Sequence, residues 1–577
     1  MLDPMSVWGR SDASATLLDA AGLQALLALA LERMRVPDGC AAVVEGSIAE
    51  GFGNPSSDVD FLLLDDGDET YAGTPTVLFA GGRRIEVRLR STREAAEDRA
   101  ALWRVAAGGP RADGRIPEDL LNRCQRLSRA LPLRGERLVA RVQATLPDAE
   151  LGPIASRWFA WRSRQCGRLA VAQLALGEHA AAAGWAETAL TFAAKAWAAL
   201  RGETYVDAKW LPEQLRRVRE HGPELVARCE ALLPRAQVAT DDERYVTRAL
   251  ELLPTLGVPG CEPDPQRVMF RRRPGVTTWS VDGRLHVLRD GRDVFVLSDV
   301  AARAWRGVVF EQPLPALEVL AELAPTAPPD AGRHLAAFHR LGFVRLAWRG
   351  GGLVEAAAPV TPAPGIARPP LTLGGATPEE GDAGVTLVPL PAQRFAAAGM
   401  ALVWSSVMAE NAREDVIGAL AQGQWGVVSV VVRRLLRWTC LSLLSAYGVD
   451  PRPAHEDACA LLAELPTVDR QLAADALALD AEVCVDDERS AREALAAVEE
   501  VVERMRGQLG AARFPSSFAD AAGWRSTLET FYDWVRIGAH LDSDFPLDDL
   551  RDVLMSVDQR RAPAAPRAAV AAPPPQP

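Results

Sequence analysis

The segment spanning residues 43–64 constrains the fold of this chain more than any other part of the sequence. It reads VVEGSIAEGFGNPSSDVDFLLL, so Gly46 and Ser47 directly follow an apolar run, and Asp58 and Asp60 flank a valine at the start of the next run. Successive side chains of a strand point to opposite faces, which places both aspartates on one face and the valine in the core. Two carboxylates this close repel each other unless a cation compensates them, and Mg²⁺ prefers such oxygen ligands. The segment therefore predicts a magnesium site at the start of a buried strand.

A third acidic residue lies on a neighbouring predicted strand. The run RRIEVRLR (83–90) alternates apolar and polar residues, which is typical of a strand with one polar face, and Glu86 belongs to that face. Two roles are open for Glu86: it binds a second metal ion, or it deprotonates an attacking hydroxyl. Further strands are predicted at 41–45 and 59–64 and a helix at 16–35. The first 110 or so residues are therefore predicted to form an α/β unit.

The Gly46-Ser47 turn suits phosphate binding, because glycine lets a ligand approach the backbone and N–H groups with a hydroxyl can hold phosphate oxygens. Glycine-serine, a gap of about ten residues and then Asp-hydrophobic-Asp resembles the signature of the DNA polymerase β-like nucleotidyltransferase superfamily. The resemblance implies that Asp58, Asp60 and Glu86 are catalytic and bind one or two Mg²⁺ ions. It also implies that an NTP is bound by Gly46, Ser47, Ser57 and Lys209.

The resemblance is strict over about 100 residues and looser over 155–215, which looks like the helical domain of aminoglycoside-type nucleotidyltransferases and includes Lys209 and Trp210. Structural alternatives exist for each site residue. The acidic pair can solvate a strand end, Glu86 can face solvent, and Lys209 and Trp210 can be a helix cap and a core aromatic residue.

A second module, at 276–348, resembles the small PqqD-like domain that binds leader peptides in ribosomal peptide biosynthesis. It reads as two strands joined around Asp290 and Gly291, with helices near 299–309, 314–324 and 330–341. The resemblance implies a precursor peptide as ligand, captured by an exposed strand edge. An ordinary winged-helix interaction module is the alternative.

Two pairs of side chains elsewhere are interpreted as structural. His334 and His339 are five residues apart, so they do not share a helix face at the interval that metal ligands favour. Arg536 and His540, in YDWVRIGAH, superficially resemble the pair of HEPN-type ribonucleases, but their spacing is too short and a packing helix is predicted instead.

The fold class is predicted to be multidomain α+β, because 577 residues exceed what one core serves. The predicted units are a nucleotidyltransferase domain (1–112), a helical domain (113–258), the PqqD-like domain (270–350), a linker (351–390), a C-terminal helical domain (391–558) and a disordered tail (559–577). Gly177 and Gly202 are separated by the same interval as Gly423 and Gly448, which leaves open whether the helical blocks are repeats or match by chance.

Composition excludes some classes of function. The net charge of −12 makes nucleic acid an unlikely main partner, since backbone binding relies on many Lys and Arg residues. The eight cysteines form no CxxC pair, so neither a disulfide framework nor a zinc knuckle is expected, and a reducing cytoplasm fits best. No apolar run reaches the ~20 residues that a membrane span needs.

The expected function is transfer of an NMP, AMP first among them, from an NTP to a hydroxyl of a precursor peptide held by the PqqD-like domain. Two alternatives stay open. The acceptor is a small molecule such as an aminoglycoside, or the chain is a peptide-binding scaffold whose active site has decayed.

Overall fold

The computed structural model describes most of the chain. The described residues are 18–34, 36–71, 75–109, 113–146, 148–235, 241–281, 283–291, 293–308, 312–313, 328–354, 391–449, 453–465, 468–509 and 521–541. The strands are β1 (Ala41–Glu45), β2 (Val59–Asp65), β3 (Thr76–Ala80), β4 (Arg83–Ser91), β5 (Leu131–Arg134), β6 (Val268–Arg272), β7 (Val276–Val281), β8 (Arg284–Arg289), β9 (Asp293–Leu297), β10 (Gln312–Pro313), β11 (Val344–Trp348) and β12 (Gly352–Leu353).

The N-terminal helices are α1 (Ala20–Arg33), α2 (Gly46–Ala49), α3 (Thr92–Ala106), α4 (Glu118–Arg129) and α5 (Glu136–Gln143). A first helical block contains α6 (Asp148–Ala175), α7 (His179–Ala199), α8 (Leu211–Val218), α9 (Pro223–Glu230) and α10 (Asp242–Leu252). The small module adds α11 (Asp299–Gly307) and α12 (Pro328–Arg340). A second helical block contains α13 (Ala392–Ala421), α14 (Trp425–Ala446), α15 (Ala458–Ala463), α16 (Arg470–Glu482), α17 (Glu488–Leu509) and α18 (Ala521–Leu541). The chain therefore has the predicted mixed α+β character.

The N-terminal sheet has the strand order β3-β4-β2-β1-β5. Strand β2 runs parallel to β4, and the other pairs are antiparallel. Helices cover both faces of the sheet, which explains why β2 is buried along nearly its whole length. Phe61 and Leu63 pack on the side of α1, whereas Leu62 and Leu64 join the core under α3, α4 and α6. Side chains of a strand return to the same face every two residues, so Asp60 lies on the same face of β2 as Leu62 and Leu64. Its carboxylate is therefore next to the core on that face of the sheet.

The N-terminal predictions hold closely, with two strands missed. The helix predicted over 16–35 spans Ala20–Arg33, and the Asp19 side chain caps it by accepting a hydrogen bond from the Gly22 N–H. Strands β3 and β5 were not predicted. Strand β5 arises where only helices were expected, because LPLR is a short, largely exposed edge strand with a proline, which gives no alternating apolar pattern.

The two helical blocks repeat one arrangement of helices. Helix α14 begins 246 residues after α7 (425 against 179), and α17 begins 246 residues after α10 (488 against 242). The glycines that delimit α7 and α14 all have positive φ angles; they are Gly177, Gly202, Gly423 and Gly448. One constant offset at both ends of the blocks favours a duplication over chance spacing.

The small module contains the predicted hairpin and more. Strands β8 and β9 are joined at Asp290 and Gly291, as predicted, and β7 pairs with β8 as an additional strand. Helices α11 and α12 occur where expected, and Trp305, Phe338 and Phe343 pack against one another in the core. The helix predicted near 314–324 lies outside the described residues. Strands β6, β10, β11 and β12 form a second sheet that was not predicted.

The predicted linker lies outside the described residues from residue 355 onward, as does the predicted tail at 559–577. Helix α18 packs against the second block: the Trp534 ring lies 4.9 Å from the ring of Phe395, and Gly399 makes room for it. The packing of α18 supports the structural interpretation of the helix that carries Arg536. Among the described helices, none combines the length and apolarity needed to cross a membrane.

Candidate metal and nucleotide site

Three carboxylates converge at the edge of the N-terminal sheet. In the parallel pair of β2 and β4, Asp60 lies directly opposite Glu86, and Asp58 immediately precedes β2. One carboxylate oxygen from each of the three residues lies within 4.8 Å of the other two. Asp60 is buried, and Asp58 and Glu86 are partly exposed. Three oxygen donors grouped this closely form the type of ligand set that Mg²⁺ takes up, so the residues fit the metal that the sequence predicts.

The glycine-serine turn lies directly against this acidic group. Gly46 begins α2 with a φ of +75°, and a Cβ atom at this position would lie 2.5 Å from Asp60 Oδ2. The Ser47 carbonyl accepts hydrogen bonds from the N–H groups of Phe52 and Gly53 at 2.9 and 3.0 Å, which folds the following loop back onto the turn. Glycine at position 46 is therefore required twice, for its backbone angle and for the space that Asp60 occupies.

The substitution Gly46→Ala should weaken Mg²⁺ binding strongly, because the new methyl group displaces the Asp60 carboxylate. Gly39→Ala is the matched control: Gly39 also has a positive φ, of +79°, but no heavy atom lies within 4 Å of a Cβ at that position. Both variants carry a similar backbone strain of ~1–2 kcal/mol. Calorimetric titration with Mg²⁺ should show a defect in Gly46→Ala alone; an equal defect in both variants contradicts the steric explanation.

A cavity of about 180 Å³ opens over the acidic group. Three separate parts of the chain form its walls: the N-terminal domain, the segment between α7 and α8, and the helical hairpin of α13 and α14. The lining residues include Ser47, Ser57, Asp58, Asp60, Arg84, Glu86, Arg88, Arg126, Tyr205, Asp207, Lys209, Asn411, Glu414, Asp415 and Arg434. The cavity thus brings together the predicted residues Ser47, Ser57 and Lys209 with the three carboxylates, and Gly46 lies beside Asp60 beneath them.

Arginine side chains neutralise the acidic group. The Arg84 Nη2 atom lies 2.9 Å from Asp58 Oδ2, and Arg88 lies 3.3 Å from Asp60 and 3.1 Å from Glu86. Burial opposes ionisation of Asp58, but the Arg84 guanidinium holds the pKa of that carboxyl below its ordinary value. Burial, together with the charges of Asp58 and Asp60, raises the pKa of Glu86 to about 7. At Glu86 the arginines therefore do not fully offset burial and the two neighbouring carboxylates.

Sequence reasoning missed a fourth carboxylate beside this group, that of the buried Glu45. It lies opposite Asp60 in the antiparallel pair of β1 and β2 and is 5% exposed. Its Oε1 atom is 3.2 Å from Arg88 Nη1 and 3.5 Å from Arg126 Nη1, and burial raises its pKa. The signal was a glutamate that ends the otherwise apolar strand AAVVE directly before Gly46.

Lys209 belongs to the segment between α7 and α8 that lines the cavity. Its Nζ atom is 2.7 Å from both carboxylate oxygens of Asp415, a residue of α13. The segment that carries Lys209 is fixed by the buried Lys195, whose ammonium donates to the carbonyls of Tyr205 and Asp207 at 2.8 and 3.3 Å. Trp210 is a core residue that stacks on Phe52, as the structural alternative predicted, whereas Lys209 faces the cavity.

Helix α13 supplies a wall that the sequence did not reveal. Glu414 lies 3.2 Å from Arg84, so α13 shares a cation with Asp58, one of the three candidate metal ligands. The backbone of α13 approaches the N-terminal domain closely at Gly418, where a Cβ would lie 2.0 Å from the Asn54 side chain. These contacts join residues more than 300 positions apart in the sequence, so no local sequence pattern predicts them.

No protein-family model matches this chain, and no curated protein matches its sequence significantly. The functional interpretation consequently rests on the chemistry and geometry of the residues themselves.

Proposed function

We propose that this chain is a nucleotidyltransferase that moves an NMP, AMP first among them, from an NTP to a hydroxyl-bearing acceptor. The observation that carries the proposal is the convergence of Asp58, Asp60 and Glu86 beside the Gly46 turn. These three carboxylates would hold Mg²⁺, which supplies charge neutralisation and alignment for phosphoryl chemistry.

The residues of the cavity suit this reaction. The acceptor oxygen forms a bond to the α-phosphorus, the bond from that phosphorus to the pyrophosphate oxygen breaks, and the hydroxyl proton passes to a carboxylate of the cavity. Ser47 and Lys209 both line the cavity, from two separate parts of the chain, and can hold phosphate oxygens and limit their motion. The enclosing helix α13 reduces access of water, which protects the NTP from hydrolysis.

The proposed acceptor is a precursor peptide held by the small module. Within the described residues, β9 pairs with β8 alone, and the outward side chains Val294 and Val296 are 56% and 54% exposed. An extended peptide can add to such an edge while apolar side chains contact its surface. A small acceptor such as an aminoglycoside is the second candidate, favoured by a cavity whose lining is almost entirely polar and charged.

The test is incubation with each labelled NTP, Mg²⁺ and either precursor peptides or aminoglycosides, followed by intact-mass measurement. A mass increase of one NMP on an acceptor is expected for the wild type and not for the double variant Asp58→Asn/Asp60→Asn. Asp68→Asn, a substitution of an exposed aspartate beyond β2, is the matched control and should retain full activity. Wild-type protein that binds no NTP in Mg²⁺ contradicts the proposal and favours the decayed scaffold.

The variant Val294→Asp/Val296→Asp separates the two acceptor classes. Both side chains are exposed, so the variant should fold, and it should lose peptide labelling while retaining Mg²⁺-dependent NTP binding. Unchanged peptide labelling argues against acceptor capture by this strand. Labelling of a small acceptor alone, equal in both proteins, supports the second candidate.

A further inference from the structure

Two arginines of the cavity share the same pair of carboxylates. Arg88 Nη1 lies 3.3 Å from Asp60 and 3.2 Å from Glu45, and Arg126 Nη1 lies 3.3 Å from Asp60 and 3.5 Å from Glu45. Asp60 belongs to the group of potential metal ligands, whereas Glu45 does not. Each guanidinium therefore contacts Asp60, a candidate metal ligand, and Glu45, which is not one. Arg88 also pairs with a second candidate ligand, Glu86, at 3.1 Å.

A divalent cation at Asp60 competes directly with both arginines. A guanidinium and Mg²⁺ repel each other at contact distance, and the Asp60 side chain is only 8% exposed, so water screens this repulsion poorly. The guanidinium groups then need another anion. The α-, β- and γ-phosphates that arrive with the metal are such an anion, and arginine suits phosphate geometry well.

The Arg126 guanidinium lies close to the Gly46-Ser47 turn. Its Nη1 atom is 3.5 Å from the Cβ position of Gly46, and its buried Nε has no hydrogen-bond partner among the described residues. The side chains of Arg88 and Arg126 remain 30% and 21% exposed, so an incoming ligand can reach them. The guanidinium of Arg126 thus reaches the Gly46 turn and retains one donor, Nε, without a partner among the described residues, so it can take up an additional oxygen ligand.

We propose that Arg88 and Arg126 exchange anions during the catalytic cycle. Without metal and nucleotide both arginines neutralise Asp60, and Arg88 also pairs with Glu86. When the metal and the nucleoside triphosphate bind, the arginines release these carboxylates and bind the triphosphate. The buried Glu45 keeps both guanidinium groups beside the turn throughout and is thus a positioning residue. This inference rests on the proposed function and names the groups that recognise its substrate.

The test compares binding of Mg²⁺ alone with binding of a non-hydrolysable ATP analogue in Mg²⁺, both by calorimetry. Arg126→Met and Arg88→Met should bind Mg²⁺ alone about tenfold more tightly, because a competing cation is gone. The same variants should bind the nucleotide about tenfold to a hundredfold more weakly. Arg90→Met is the matched control: Arg90 lies on the same face of β4 but pairs with Asp98 at 2.8 Å, and neither affinity should change.

Lysine variants of the same two arginines provide a second test if a methionine variant fails to fold. Arg126→Lys and Arg88→Lys retain the charge and lose the planar fork, so Mg²⁺ affinity should stay near the wild-type value while nucleotide affinity falls. Glu45→Gln should weaken both affinities. Mg²⁺ affinity falls because the arginines then pair more strongly with Asp60, and nucleotide affinity falls because Glu45 no longer holds the arginines beside the Gly46 turn.

The outcomes distinguish the exchange from the proposed function. A wild type that binds no nucleotide in Mg²⁺ overturns both. A wild type that binds nucleotide, with arginine variants whose two affinities move in the same direction or stay unchanged, overturns the exchange alone. Opposite movements of the two affinities in the arginine variants support it.

Discussion

The substitution Asp60→Asn should reduce nucleotidyl transfer by about a thousandfold or more, since a metal contribution of several kcal/mol to transition-state stabilisation is lost. Asp60 is the most buried of the three carboxylates and lies opposite Glu86 across the two parallel strands. An amide at this position keeps the shape of the side chain and removes the negative charge that holds the cation. The rate of pyrophosphate release in the presence of acceptor is the measurement.

The fold should survive this change. Asparagine removes one negative charge from a group of four carboxylates, and Arg88 and Arg126 keep Glu45 as a partner. Circular dichroism and the thermal midpoint should therefore remain close to those of the wild type, as they should for the exposed control Asp68→Asn. A variant that retains more than a tenth of the wild-type rate contradicts the role assigned to Asp60.

The substitution Arg433→Met should destabilise the packing of the two helical blocks by about 3–5 kcal/mol, the usual effect of removing one partner from a buried ion pair. Arg433 of α14 donates two hydrogen bonds of 2.6 Å to the Glu187 carboxylate of α7. The side chains are 8% and 11% exposed, so the orphaned carboxylate cannot recover full hydration. Denaturant unfolding followed by circular dichroism measures the effect.

Two controls define the cause. Arg489→Met removes an exposed pair with Glu493, which contributes little to stability in such positions. The double variant Glu187→Gln/Arg433→Met should recover part of the loss, because no buried charge remains unpaired. A cost below about 1 kcal/mol for Arg433→Met alone contradicts the role of this buried ion pair in stabilising the packing of the two blocks.

The same pair predicts how stability depends on pH. Burial opposes ionisation of Glu187, yet Arg433 dominates and lowers its pKa to about 2. A carboxyl whose folded-state pKa is depressed contributes stability that is fully present above the unfolded value, ~4.3, and is lost as pH falls through the folded value. Wild-type stability should therefore decrease between about pH 4 and pH 2 more steeply than that of Glu187→Gln.

The sequence was sufficient where periodicity is local. The apolar run at 59–64 and the alternation along 83–90 predicted β2 and β4, and the two-residue period placed Asp58 and Asp60 on one face and Glu86 on the polar face of its strand. It did not locate β5, whose four residues form an exposed edge, or Glu45, whose role depends on the register between β1 and β2.

Tertiary contacts account for the rest. Glu414 and Asp415 reach the cavity because α13 packs over the N-terminal domain, and that docking depends on the shape of Gly418 against Asn54. The equal glycine intervals indicated a possible repeat, but only the constant offset between helices of the two blocks distinguishes duplication from coincidence. Residues of α13 and α14, in the second block, complete the wall of the cavity.

The most direct test of the central claim is a crystal structure of the wild type with a non-hydrolysable NTP and Mn²⁺, which accepts the same carboxylate ligands as Mg²⁺ and scatters anomalously. The predicted result is an anomalous peak coordinated by Asp58, Asp60 and Glu86, with the triphosphate beside Gly46. A bound nucleotide whose metal lies away from all three carboxylates, or a peak absent from them at saturating Mn²⁺, contradicts the claim.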